Sequence, residues 1–171
     1  DYFYKAYNYK KEKGANMNES DWQYQIDNYT KCLRINEDHV YAYNNRGYAK
    51  IMLGNNNDAI ADLTRAIKIK PDYPLAYINR GLAYLNLKNY NDAIADFTRV
   101  IKIKPDDKEA YLGRGVAHNR GLKNYNDAIA DYNRALRIDP DYANAYYRRG
   151  IAKKNAGLPY CSDYKRACEL G

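Results

Sequence analysis

Histidine is nearly absent from this 171-residue chain: His39 and His118 are the only two, and neither has a nucleophile or a metal-like neighbour in sequence. No glycine-rich phosphate loop, His-Glu-x-x-His or paired-carboxylate motif is present, so no enzymatic activity, metal or cofactor is expected. The three cysteines, Cys32, Cys161 and Cys168, make no Cys-x-x-Cys and no metal spacing; reduced thiols are the simpler reading. No run of 18 apolar residues occurs, which excludes a membrane-spanning helix. Residues 1–6 carry neither an initiator Met nor a signal-peptide core. A trimmed or mature fragment is therefore expected; its address is unread, and a soluble chain is expected, with the cytoplasm preferred.

Tyrosine, by contrast, is abundant at 21 residues, enough for a core if the rings pack and their hydroxyls reach the edge. Net charge is +7, which favours acidic partners. Much of that excess has a local reason. Lys68, Lys70, Lys102, Lys104 and Arg137 fall where helices should end, and cations suit the negative end of the helix dipole.

One phrase recurs four times: Tyr43-Asn-Asn-Arg46-Gly47, Tyr77-Ile-Asn-Arg80-Gly81, Tyr111-Leu-Gly-Arg114-Gly115 and Tyr146-Tyr-Arg-Arg149-Gly150. Its glycines are 34, 34 and 35 residues apart, a period that belongs to one supersecondary unit stacked on copies of itself. Within 40–73 a helical apolar pattern runs to Leu53, Gly54 to Asn57 break it, Asp58 caps a second helix, and Pro71 stops that helix. The same plan repeats in 74–107 and 108–142, with Asp92 and Asp127 as caps and Pro105 and Pro140 as stops. An eroded copy is read at 6–39 by subtracting 34, which sets Tyr9, Lys13 and Ala15 against Tyr43, Gly47 and Ala49. A fifth copy, 143–171, has a shorter inter-helix turn. The single domain of 1–171 thus holds five repeats.

Small residues at Gly47, Gly81, Gly115 and Gly150 alternate with large ones at Leu63, Phe97, Tyr132 and Tyr164, as interlocking helices require. This pattern resembles the tetratricopeptide repeat family, whose slots Tyr77, Gly81, Ala93, Phe97, Val100 and Pro105 fill with one conservative change. The resemblance covers essentially the whole chain. It implies an all-α, right-handed superhelical solenoid of antiparallel helix pairs, whose first helices line a concave, peptide-binding face.

The chain departs from the family in placing Arg46, Arg80, Arg114 and Arg149 before the glycine, where an aliphatic residue is usual. Wherever that Arg stands, the second helix carries Asp62, Asp96, Asp131 or Asp163. Structural ion pairs are expected, because an unpaired buried guanidinium is costly; a cationic ladder for an acidic ligand is the other reading. Pairing within a repeat or between neighbours stays open.

Asn44, Asn45, Tyr48, Asn79, Leu82, Leu85, Arg148 and Lys154 are the expected groove contacts, around an apolar middle of Ile78, Leu82 and Leu112. Asn45 and Asn79 resemble two rungs of the asparagine ladder of O-linked N-acetylglucosamine transferase; a solvated polar face is the alternative. The two-carboxylate clamp of some family members is not expected, since only Lys10 and Asn45 fit while Gly14, Leu75 and Asn79 fill its remaining slots. An extra residue in 118–121 should lengthen the first helix of the fourth repeat or its turn. The functional expectation is a protein–protein interaction scaffold for an extended peptide or helix, with acidic groups suiting it, as a monomer or weak homo-oligomer. A self-associating scaffold is the alternative, and single-stranded RNA binding a lower one. Nucleic acid and membrane insertion are not expected.

Overall fold

A computed structural model describes residues 2–14 and 16–171 of the chain. Among them are α1 (Tyr2–Lys13), α2 (Glu19–Ile35), α3 (Val40–Met52), α4 (Asn56–Ile69), α5 (Pro74–Asn86), α6 (Tyr90–Ile103), α7 (Lys108–Ala117), a π-helical turn (His118–Leu122), α8 (Tyr125–Ile138), α9 (Ala143–Asn155) and α10 (Cys161–Glu169). No strand occurs among the described residues. The chain divides into two compact units, 1–83 and 84–171.

In the first unit, α2 is fixed at its start by a capping box in which Asn18 and Asp21 each accept the other's backbone N–H. Ala42 of α3 covers Cys32 and Leu33 of α2, and Ala76 of α5 covers Ala66 of α4. The second unit repeats the device, with Ala145 of α9 against Ala135 and Leu136 of α8. An alanine at that point lets the incoming helix approach closely enough to dry the preceding one.

The glycine of the recurring phrase makes room inside its own repeat. A Cβ on Gly47 would stand 2.7 Å from Leu63 Cγ, one on Gly115 2.7 Å from Tyr132 Cε1, and one on Gly150 2.5 Å from Tyr164 Cε1. The second helices stop as the prolines demand, α4 at Ile69, α6 at Ile103 and α8 at Ile138, each two residues before its proline.

Two expectations are corrected. Asp58, Asp92 and Asp127 lie inside the first turns, and the capping positions are Asn55, Asn89 and Asn124, three residues earlier. An acid one turn into the helix still suits its positive end. The subtraction of 34 holds for α2, which ends at Ile35 as α4 ends at Ile69, but fails for α1. Helix α1 starts ahead of residue 6, its fully buried small residue is Ala6, and Gln25 Nε2 donates to Ala6 O at 2.8 Å. Lys13, expected in the glycine slot, is exposed and lies 3.6 Å from Asp21; Ala15 lies outside the described residues. In the fourth repeat the first helical segment is longer, α7 running on through the π-helical turn from Lys108 to Leu122, against 13 residues in α3 and in α5. The extra residue widens the helix end into the π-helical turn, which closes on Lys123 at φ 50°.

Candidate functional site

Each residue of the Tyr-x-x-Arg-Gly phrase has a place. Three residues apart on one helix face, Tyr lies beneath Arg: the guanidinium carbons of Arg46, Arg80, Arg114 and Arg149 stand 5.6, 5.7, 5.7 and 5.2 Å from the ring centres of Tyr43, Tyr77, Tyr111 and Tyr146. Arg46 grips Asp62 with Nε at 2.8 Å and Nη2 at 2.6 Å. Arg114 holds Asp131 at 3.0 and 2.7 Å, and Arg149 holds Asp163 at 3.1 and 2.6 Å. The two-point fork is the geometry a guanidinium makes best with a carboxylate. These pairs lie within a repeat, yet the same guanidinium reaches back one repeat with Nη1: Arg46 to Thr30, Arg80 to Thr64, Arg114 to Thr98 and Arg149 to Asn133.

A second cation joins some of these carboxylates. Lys50, one turn after Arg46, lies 2.8 Å from Asp62, and Lys153, one turn after Arg149, lies 2.9 Å from Asp163. The Asp163 carboxyl sits below its ordinary value: burial pushes it up, and hydrogen bonds from Arg149 and Lys153 outweigh that push. In the fourth repeat the corresponding residue is His118, whose Nε2 is 3.9 Å from Asp131. His39 instead caps α3, accepting from the Ala42 N–H at 3.2 Å, and its ring packs at a tilt against Phe3. Among the described residues no cluster of metal ligands forms.

The expected groove asparagines close on one another. Asn79 Nδ2 donates to Asn44 Oδ1 at 2.9 Å, Asn44 Nδ2 to Asn45 Oδ1 at 3.0 Å, and Asn45 Nδ2 to Tyr29 Oη at 3.3 Å. Asn44 and Asn79 are 1% and 4% exposed, so neither presents an amide to a ligand in this structure; that part of the expected contact set is corrected. The physical reason is that a buried amide must satisfy its own donors and acceptors, and its like neighbours do so. Burial pushes the Tyr29 hydroxyl up to about 12, although the Asn45 hydrogen bond opposes this. Ile78 is likewise buried, which leaves Leu82 exposed and Leu112 half-buried in its own cores.

What stays open in the first unit centres on Asn45 and Tyr48 of α3. Lys10 of α1 holds its ammonium 4.2 Å from the Tyr48 ring centre and 5.9 Å from Trp22 of α2, and those two rings meet edge-on. Burial pulls the Lys10 ammonium below its ordinary value. A hollow of about 380 Å³ beside it is lined by Tyr7, Lys10, Lys11, Gly14 and Asn45. Sequence reasoning missed Trp22 as part of this arrangement, since three helices contribute to it.

In the second unit, Leu85 is half-buried, Arg148 lies over Tyr147 with Nε 3.3 Å from Asn144, and Lys154 is exposed near Tyr160. Gly113 is buried against Phe97 of the preceding repeat, and a Cβ there would stand 2.5 Å from Phe97 Cε1.

Comparison with known families settles what this architecture is. A tetratricopeptide repeat model matches residues 78–143, and a second model of that repeat matches 50–88. The chain belongs to the tetratricopeptide repeat family. Its fold class is the all-α helix-pair solenoid of that family. The tetratricopeptide domain of Arabidopsis OM64 is 30% identical over 67% of this chain and 94% of its own length, with a TM-score of 0.65. MamA is 25% identical over 88% of this chain and 89% of its own, with a TM-score of 0.79. The first tetratricopeptide domain of Spaghetti (RPAP3), solved bound to the HSP90 peptide SRMEEVD, is 24% identical over 69% of this chain and 93% of its own, with a TM-score of 0.66. No curated protein matches the sequence at a significant level. The tetratricopeptide phrase here differs from the family habit in its Arg, and the geometry above gives that Arg its partners.

Proposed function

We propose that this tetratricopeptide chain is a protein-interaction scaffold that binds an extended peptide or helix of a partner, and that no catalysis is involved. The family and fold support a protein–protein interaction scaffold, and such repeats are typically non-catalytic. In the first unit the contact residues are Asn45, Tyr48 and Leu82; in the second they are Leu85, Arg148 and Lys154. The observation that carries this reading is the hollow of about 380 Å³ at which Tyr7, Lys10, Lys11 and the half-buried Asn45 meet, while Asn44 and Asn79 are buried. The RPAP3 relative, which holds a peptide, is an analogy for the mode and says nothing of the sequence bound here. The clamp reading gains no support, because Gly14, Leu75 and Asn79 stand in its remaining slots.

The test is capture on a peptide array by the wild type and by Asn45→Ala with Leu82→Asp. Binding is lost in the variant while its circular dichroism shows the helices still formed. Equal capture by both sinks the assignment. A self-associating scaffold is favoured by one observation: an apolar hollow of about 640 Å³ at Ala143, Tyr147, Tyr164, Ala167 and Cys168. Light scattering that stays monomeric over a concentration series removes that alternative.

A further inference from the structure

We infer that the last repeat docks on a second copy of this chain, with the two α10 helices antiparallel across a two-fold axis at Ala167. Ala135 and Leu136, four and five residues after Asp131, are buried against Ala145 of the following helix. Ala167 and Cys168 stand at the same distance from Asp163, but among the described residues no later helix covers them. Cys168 is exposed and Ala167 only half-buried. With the exposed Tyr147 and with Tyr164 they line an apolar hollow of about 640 Å³. This open face continues the surface by which each repeat receives its successor, so a helix is what it receives.

A second slot decides which helix. Two residues after the aspartate, Thr64, Thr98 and Asn133 each accept a hydrogen bond from the Arg of the next repeat, and Thr30 does the same two residues after Asn28. In the last repeat that place belongs to Lys165, which is exposed and has no ion-pair partner among the described residues. A further repeat of the same plan would bring its Arg to Lys165, cation on cation. The face therefore calls for a helix with an acid at that point, and α10 itself carries one. Lys165 and Glu169 lie one turn apart on one side of α10, each two residues from Ala167. Turned antiparallel about Ala167, the second copy sets its Glu169 level with Lys165 and its Lys165 level with Glu169. Both pairs form at once, as a self-complementary two-fold contact requires. Glu169 gives up only a surface contact with Arg166 at 3.4 Å. One end of a solenoid is a small interface, so the pair is weak and parts on dilution.

Equilibrium sedimentation of the whole chain over a concentration series measures the dimer. Lys165→Glu sets Glu against Glu, and Glu169→Lys sets Lys against Lys, so each variant alone dimerises about tenfold more weakly or worse. An equimolar mixture of the two recovers the wild-type dimer, because each chain supplies the charges that the other lacks. Both side chains are exposed, and circular dichroism shows both variants folded. Oxidation with copper–phenanthroline reads the register. The two Cys168 lie about 3 Å apart along the helices, one residue on either side of the axis, and the two Cys161 about 18 Å apart. Cys161→Ser therefore gives a disulfide-linked dimer and Cys168→Ser none. A wild type that stays monomeric at every concentration overturns the inference and leaves the open face to a helix of another protein. Wild-type dimerisation in either charge variant, a mixture that fails to recover, or a disulfide through Cys161 overturns it too. A dimer lost in Leu82→Asp but kept in Lys165→Glu overturns it in favour of self-association through the groove. The peptide-binding reading stands or falls separately, on array capture by Asn45→Ala with Leu82→Asp.

Discussion

Replacing Gly113 by Ala should destabilise the protein, although alanine is the better helix former. Gly113 lies inside α7, and a Cβ there would stand 2.5 Å from Phe97 Cε1 and 2.8 Å from Cε2, where ordinary contact is 3.4–4 Å. The ring would have to retreat by about 1 Å, and at 1% exposure it has no solvent to retreat into. Overpacking of this kind costs about 1–3 kcal/mol, against a helix-propensity gain of up to about 1 kcal/mol. A clash this close with a ring that cannot move aside puts the cost in the upper part of that range, so the net is a loss of about 1–2 kcal/mol, or several degrees in Tm for a chain of this size. Urea unfolding followed by circular dichroism measures it. Phe97→Leu supplies the control, because Leu63 fills the matching slot of the repeat whose successor carries the full side chain of Asn79. In the double variant the two losses should sum to less than their separate values by about 1 kcal/mol, as contacting residues do. A Gly113→Ala protein as stable as the wild type, or strict additivity with Phe97→Leu, would refute the account of this slot as a seat for the ring.

Asp62→Ala strands Arg46 and Lys50, both still partly wet, and should cost about 2 kcal/mol, less than a fully buried pair. Arg46→Met with Asp62→Leu should cost less than Asp62→Ala alone when both are compared by urea midpoint. Because the Asp163 carboxyl is held below its unfolded value, its contribution is complete above the unfolded carboxylate range, about pH 4, and is lost as pH falls through the lowered folded value. The urea midpoint should therefore drop below about pH 4, and Asp163→Asn should flatten that part of the profile. Cys161 and Cys168 are exposed and Cys32 is buried, with its thiol pushed up by that burial. A thiol-specific reagent should thus label two cysteines promptly and the third only on unfolding; prompt labelling of Cys32 would contradict the packing of α3 on α2.

The helix-pair plan was legible because each repeat solves the same local packing problem, so Tyr, Arg, Gly and Asp recur at fixed distances. The Arg–Asp forks at Arg46, Arg114 and Arg149 could be foreseen from two residue types that come and go together. Their backward reach to Thr30, Thr98 and Asn133 could not, since threonine and asparagine at helix surfaces carry no comparable signal. The three-residue error in the helix starts arose because Asn55, Asn89 and Asn124 each stand ahead of an equally good capping residue. Helix α1 was misplaced because the spacing between first and second helix is longer there, and subtraction assumes it constant. The site was the least legible part. Whether an asparagine faces a ligand or another asparagine depends on helix rotation, and the cage around Lys10 is assembled from α1, α2 and α3.

The π-helical turn at His118–Leu122 bears on how such chains tolerate changes of length. One more residue wound into a regular helix would swing every later side chain around the axis by about 100°. Taken up as a wider coil at the helix end, it leaves Asn124 free to start α8 and Arg114 still gripping Asp131, now 17 positions away in place of the 16 between Arg46 and Asp62. Slippage is absorbed at the corner, and the cross-braces between helices never feel it.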